Sequence, residues 1–261
     1  MFNQKKYFYL VKIQYLGYRF HGWQKQPNVK TIHLMIDRTL KFILKDTWFK
    51  TLGAGRTDAM VSAQEAAFEL FISKKIEDNL DFLALFNHNL PQDIRALSIK
   101  EVDQSFNIIQ QSKTKEYLYL FAYGRKQHPF CASIMTTILD ELDIDLMQKG
   151  AKLFEGTHNF KTYCYKATDQ GFYQRTIDVS EIIDNNLFTA NFFPEKSFLL
   201  RVIGKGFGRN QIRLMMGALI KLGHGEITLD YIKTTLAPES REHMDYIAPA
   251  SGLILNKIDF E

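Results

Sequence analysis

The order in which hydrophobic periods follow one another constrains this chain most. Residues 7–15 alternate Val11, Ile13 and Tyr15 with Lys12 and Gln14, the two-residue period of a half-buried strand. Residues 31–46 change period: Ile32, Met35, Ile36, Leu40, Ile43 and Leu44 share one helical face, and Thr31 stands where a helix cap belongs. A short strand over 48–52 leads into a glycine-rich loop, and Ala66, Phe68, Leu70 and Ile72 mark another strand over 64–73. The pattern predicts a helix over 76–86, a break at Asn89-Leu90-Pro91-Gln92 and a strand over 94–102. Strand, helix, strand, strand, helix, strand is the split βαβ order of ferredoxin-like folds.

The second half runs through the same order. A strand over 115–123 sets Tyr117, Tyr119 and Tyr123 on one side, and a helix is expected over 143–154. Strands over 173–183 and 187–193 read as a hairpin about Asp184-Asn185-Asn186, followed by a strand over 197–203. A helix over 209–222 stops at Gly223 and Gly225, a short helix covers 229–236, and 252–260 forms the last strand. The fold class is α+β: two ferredoxin-like modules, 1–112 and 113–261, each a largely antiparallel sheet with helices on one face, and an active cleft between them. The opposite face of each sheet is left free, a surface on which aromatic and basic side chains commonly hold RNA.

The length of 261 residues suits one large domain or two ordinary ones. With 46% hydrophobic and 24% charged residues, the composition is that of a soluble protein with a substantial core. No run of about 18 apolar residues occurs, so a membrane span is not expected. Lys12 and Gln14 interrupt the first apolar run, which argues against a signal peptide, and Cys131 and Cys164 read as reduced thiols of a cytoplasmic protein. No histidines or cysteines have metal-ligand spacing. Net charge is only +4, but from Lys196 to Gly225 six cations (Lys196, Arg201, Lys205, Arg209, Arg213 and Lys221) occur with no acid. They are interleaved with Phe198, Leu199, Leu200, Phe207 and Met215, so the segment must be partly buried and needs an anionic partner.

Four constellations carry chemistry. Asp58 lies in Leu52-Gly-Ala-Gly-Arg-Thr-Asp-Ala-Met-Val-Ser-Ala63, where small residues let backbone approach a ligand and Arg56 can pair with the carboxylate. No second acid, histidine or cysteine neighbours it in sequence, which fits a lone-carboxylate mechanism; an ordinary loop acid or helix cap is the competing reading. In Tyr15-Leu-Gly-Tyr-Arg-Phe-His-Gly-Trp-Gln-Lys-Gln26, Trp23 beside Arg19 and Lys25 suits stacking and phosphate contact, or Trp23 plugs the core. Tyr117 can stack on an extruded base or pack in a sheet. Arg209 and Arg213, four apart near a positive helix end, favour an anion: a phosphate or the Asp58 carboxylate, unless they are a solvated helix end.

Taken together, these residues resemble the tRNA pseudouridine synthases of the TruA type, over essentially the whole length. Tyr15, Gly17 and Gly22-Trp-Gln24 are similar to the family's first motif, and Gly55-Arg-Thr-Asp-Ala59 to its catalytic loop. Asn89-Leu-Pro91, Asp93-Ile94, Tyr117-Leu-Tyr119, Phe207, Gln211-Ile-Arg213, Gly217 and Gly252-Leu253 fall in the family's order. The resemblance implies a cofactor-free isomerisation of uridine in tRNA, in the anticodon stem-loop, by a cytoplasmic homodimer. By it Asp58 is catalytic, Tyr117 stacks on the uracil, Arg213 pairs with the aspartate, Arg56 assists at the flipped nucleotide and Leu253 packs in the pocket. Arg19, Trp23, Lys25, Arg201, Lys205 and Arg209 are the expected RNA contacts. The chain departs from the pattern at Leu16, at Asn107-Ile-Ile-Gln-Gln111, and at Met60 and Ser62, where the family has Gly and His, as a divergent member would. A non-catalytic RNA-binding protein or tRNA-folding chaperone is the alternative.

Overall fold

The computed structural model describes residues 6–168 and 170–260. The chain divides into two units: one runs through Lys113 and includes the chain from Leu255 onward, and the other is Thr114–Ile254.

The first unit contains β1 (Tyr7–Tyr15), α1 (Ile32–Leu44), β2 (Phe49–Gly53), β3 (Ser62–Ile72), α2 (Asn79–Asn89) and β4 (Ile94–Val102). Its strands lie in the order β4-β1-β3-β2, and each neighbouring pair is antiparallel. β1 and β2 are thus parallel with β3 between them, the split βαβ arrangement anticipated from the periodicity. Val11 sits opposite Phe68 on one side and Ile99 on the other. Tyr9, Val11, Ile13, Ile36, Leu40, Phe68, Leu70 and Phe86 are buried together with the helix faces. Thr31 caps α1, its hydroxyl accepting from the Leu34 amide at 3.3 Å. Helix α2 starts later than its hydrophobic pattern suggests. Asp78 is the cap, accepting from the Leu80 and Asp81 amides at 2.7 and 3.0 Å, while the Ile76 amide donates to the Tyr9 hydroxyl at 3.0 Å.

The sheet face away from the helices is not entirely free. Phe68 meets Phe86 of α2, so Glu69 points to the opposite face. It is nonetheless buried, and its carboxylate accepts from the amide of Ile108, itself fully buried. The stretch after β4 therefore covers that part of the sheet. Burial raises the Glu69 pKa above the usual carboxylate range, opposed by the Ile108 hydrogen bond and by the Lys50 charge.

The second unit holds most of β5 (Ser112–Tyr123), then β6 (Thr136–Ile138), α3 (Ile144–Lys152), β7 (Gly156–Asn159), β8 (Gln174–Asp184), β9 (Phe198–Gly204), α4 (Gln211–Gly223), α5 (Leu229–Thr235) and the first residues of β10 (Leu253–Phe260). Strands β5-β9-β8-β7 are antiparallel neighbours, and β6 runs parallel to β5. Helix α4 is buried almost all round, with Leu214, Met215, Ala218, Leu219 and Leu222 in the core. Gly150 of α3 lets it approach closely, since a Cβ there would collide with the Leu222 side chain.

Two expectations change here. Residues 187–193 are not a strand: β8 pairs with β9, and a loop joins them. Asn185 organises that loop, accepting from the Leu187 and Phe188 amides and donating to the Phe188 carbonyl and the Ser197 hydroxyl. Phe188, Phe192 and Phe193 give a strand-like composition because they pack on a cluster of Leu118, Leu120, Ala122, Cys131, Met135 and Leu199. Helix α4 begins at Gln211, so Arg209 lies outside it and does not share a helical face with Arg213. Asn210 occupies the cap position with φ +56°, a left-handed conformation that breaks the helix there. Among the described residues no helix is long and apolar enough to cross a membrane. Cys131 and Cys164 are free thiols.

Candidate active site

Asp58 sits half-exposed in the loop joining β2 to β3. The first sequence motif holds that loop in place. The Trp23 amide donates to the Thr57 carbonyl at 3.0 Å, and the Met60 amide to the Phe20 carbonyl at 3.0 Å. The Tyr15 and Thr57 hydroxyls are 2.9 Å apart. Gly22, at φ +80°, passes so close that a Cβ there would stand 2.5 Å from the Thr57 carbonyl oxygen and 2.9 Å from the Asp58 carbonyl carbon. A Cβ on Gly17 would overlap the Val61 carbonyl. Three of the motif's residues thus have a steric or hydrogen-bonding reason: two glycines for close approach, and one tyrosine to fix Thr57 next to Asp58.

The departures at positions 60 and 62 acquire physical content. Met60 is at φ +67°, a conformation that favours glycine, and Ser62 accepts from the Gly17 amide at 2.9 Å. A side chain at such a φ costs roughly 1–2 kcal/mol, offset in part by the greater freedom that glycine has in the unfolded chain. Met60→Gly should therefore raise stability by about 0.5–1 kcal/mol, a gain of about 1–4 °C in thermal denaturation. An unchanged or lower melting temperature would show that the Met60 side chain compensates for its backbone.

Arg56 is exposed and forms no ion pair among the described residues, so the anticipated Arg56–Asp58 pairing is not present. Thr57 explains this: its carbonyl and hydroxyl are both tied inward, which leaves Arg56 facing solvent.

Tyr117, Arg213 and Leu253 belong to the second unit. Tyr117 is half-buried on β5, with Phe207 edge-on at 5.4 Å and 85°. Arg213, in the first turn of α4, donates through Nε to the Ala248 carbonyl at 2.7 Å, and the Ala248 amide returns a bond to the Arg213 carbonyl at 3.1 Å. Its Nη1 lies 3.4 Å from the Asn210 side-chain oxygen. Leu253 is buried where β10 begins. The chain just before it is fixed by the buried Tyr119 hydroxyl, which donates to the Pro249 carbonyl at 2.8 Å and lies 2.8 Å from the Thr136 hydroxyl. Burial raises the Tyr119 pKa well above the ordinary phenol range, with the Thr136 bond and the Arg213 charge acting the other way.

Residues 151–261 match the sequence profile of a family described as tRNA pseudouridine synthase. Over 254 residues the chain is 33% identical to the tRNA pseudouridine synthase A of Thermosipho melanesiensis, a match covering 97% of this chain and 99% of that protein. This chain belongs to the TruA-type tRNA pseudouridine synthase family. The proteins of the same name from Streptococcus agalactiae, 32% identical over 97% of this chain and 95% of theirs, and from Dictyoglomus thermophilum, 30% identical over 96% and 98%, agree with that placement.

Against this family background, the expected RNA contacts fall into distinct groups. Trp23 is buried, so its indole does not face a base. It stacks on His33 at 5.5 Å and 24°, and a Cβ on Gly53 would touch it at 2.6 Å. Arg201 is half-buried between Glu116 and Glu181, at 2.7 and 3.1 Å, and so is neutralised within the sheet. Lys221 pairs with Asp245. The basic stretch thus finds part of its anionic partner on neighbouring elements rather than on a ligand. Arg19 is well exposed and bonds to the nearly buried Asp93 at 2.7 and 2.9 Å, and Lys25 pairs with Asp37. Lys205 and Arg209 are exposed and form no ion pair among the described residues.

Beneath Trp23 lies a polar cluster with no signature in the sequence. His33 Nε2 is 2.7 Å from the Thr51 hydroxyl, which donates to Asp37 at 2.5 Å, while Asp37 also holds Lys25. Burial lowers the His33 pKa; Asp37 opposes this and Lys25 reinforces it. The folded state therefore favours the neutral imidazole. Its stabilisation is present above the unfolded pKa near 6.5 and is lost as pH falls through the lower folded value. Thermal melts from pH 8 down to about pH 5 should lose stability more steeply for the wild type than for His33→Gln. Parallel losses would remove His33 from the acid response.

Proposed function

We propose that this chain isomerises uridine to pseudouridine in tRNA, with Asp58 as its catalytic carboxylate. The observation that carries the reading is the Asp58 loop: a half-exposed acid on backbone clamped by Tyr15, Gly22 and Trp23, in a member of the TruA-type family.

The reaction breaks the bond between ribose C1′ and uracil N1, turns the base and joins C1′ to C5. N1 gains a proton and C5 loses one, so composition is unchanged and the scheme calls for no cofactor. The base must first leave its stack, at a cost of a few kcal/mol. Tyr117 offsets that cost by stacking on the uracil, with Phe207 bracing the ring from its edge. Asp58 then acts at the ribose, as nucleophile or as base. Arg213 serves as cation partner of the carboxylate, Leu253 packs against the nucleotide, and Arg56, exposed in the Asp58 loop, assists at the flipped nucleotide. The same reading includes the anticodon stem-loop as target and a cytoplasmic homodimer.

The test is conversion of an unmodified tRNA transcript. After incubation and digestion to nucleosides, an isomer of uridine with equal mass should appear chromatographically. Salt-sensitive tRNA binding without any isomer would instead support the chaperone.

A further inference from the structure

Outside the Asp58 loop and the Tyr117 face, one surface of the second unit gathers charge in an unusual way. The Arg209 guanidinium lies 5.0 Å from the centre of the Tyr165 ring, and the Lys166 ammonium lies 5.6 Å from the same ring. The two segments are tied together, because the Tyr165 amide donates to the Arg209 carbonyl at 3.0 Å. Lys166 and Arg209 are exposed, and neither forms an ion pair among the described residues. Arg201 and Lys221, by contrast, are matched to acids.

Two backbone observations add to this. Lys166 is at φ +55°, and Asn210, next to Arg209, is at φ +56°. Asparagine enters this conformation fairly readily, but lysine seldom does, and its strain persists where the surroundings enforce it. Here the conformation occurs in both segments that bring a cation to the ring. Like charges held on one ring repel, and the ring's negative face only partly compensates. An anion with two neighbouring charges relieves that repulsion, and consecutive phosphates of an RNA strand supply it.

We propose that Tyr165, Lys166 and Arg209 form a preorganised contact for the RNA phosphate backbone. Tyr165 is the positioning residue and the two cations are the binding groups. The inference rests on the tRNA reading above and adds to it Tyr165 and Lys166, which no sequence motif marks, as partners of the expected contact Arg209 in one docking point.

The test is the salt dependence of binding of the full chain to an unmodified tRNA transcript, by fluorescence anisotropy between roughly 50 and 200 mM KCl. Each lost phosphate contact lowers the slope of log Kd against log salt by about 0.7–0.9, so Lys166→Gln/Arg209→Gln should lower it by about 1.5. Tyr165→Leu should weaken binding, and Tyr165→Phe, which keeps the ring, should restore it. Lys233→Gln removes another exposed lysine, one already paired with Asp230 at 2.9 Å, and should leave the slope unchanged. A wild-type slope in a folded double variant, or an equal loss in Lys233→Gln, overturns the proposal. Conversion of the same transcript by wild type separates the two readings: conversion with unaltered slopes sinks only the cluster, and failure to convert or bind sinks both.

Discussion

Asp58→Asn should bring uridine isomerisation below detection, a loss on the order of 10⁴-fold or more, while tRNA affinity stays within a few-fold of wild type. The asparagine preserves size and polarity but cannot act as nucleophile or base at the ribose. The substitution leaves in place the Thr57 carbonyl and hydroxyl contacts and the Met60 amide bond that hold the loop. The pair of readouts, turnover by nucleoside analysis and affinity by anisotropy, separates chemistry from binding. An Asp58→Asn protein that turns over at a comparable rate would move the chemistry to another group. One that binds tRNA a hundredfold more weakly would make Asp58 a binding residue.

Gly22→Ala should be strongly damaging although it leaves every side chain of the proposed site in place. The methyl group meets backbone, 2.5 Å from the Thr57 carbonyl oxygen, and the residue is held at φ +80°. Backbone cannot swing aside as a flexible side chain would, so the Asp58 loop must shift. A displacement of about 1 Å is enough to cost on the order of 10²-fold in turnover. The stability loss should be roughly 1–3 kcal/mol, from the conformation and the overlap combined. Gly225→Ala is the matched control. Its φ is +74°, but nothing lies within 4 Å of the added carbon. It should lose about 1 kcal/mol of stability and keep its turnover number. Equal turnover losses in the two variants would mean that general destabilisation, not loop placement, governs the rate.

Much of the fold was legible from periodicity because local pattern and tertiary burial agree. The strands over 7–15 and 94–102 have the bounds their alternation suggests, and Thr31 caps the first helix. Where they disagreed, the local geometry of the helix start prevailed: the cap hydrogen bonds of Asp78 delayed α2, and the left-handed backbone of Asn210 delayed α4. Phenylalanines 188, 192 and 193 imitate a strand because a core cluster can be filled by a loop as well as by a sheet. At the site, the loop around Asp58 was recognisable from its small residues and single acid. The partners of its cations were not. Arg201 meets Glu116 and Glu181 through strand pairing far apart in sequence, and Trp23 is buried by Gly53 and His33. Residue type suggests a charge or a ring, but only the register shows whether it faces a ligand. Tyr165, the ring that Arg209 meets, lay outside the motifs for the same reason.

The most direct measurement is tritium release from tRNA labelled at uridine C5, with wild type beside Asp58→Ala. Joining C1′ to C5 must expel the C5 hydrogen, so the account predicts steady release by wild type and none above background by the variant. Equal release by both proteins, or none by a folded wild type that binds the tRNA, would contradict it.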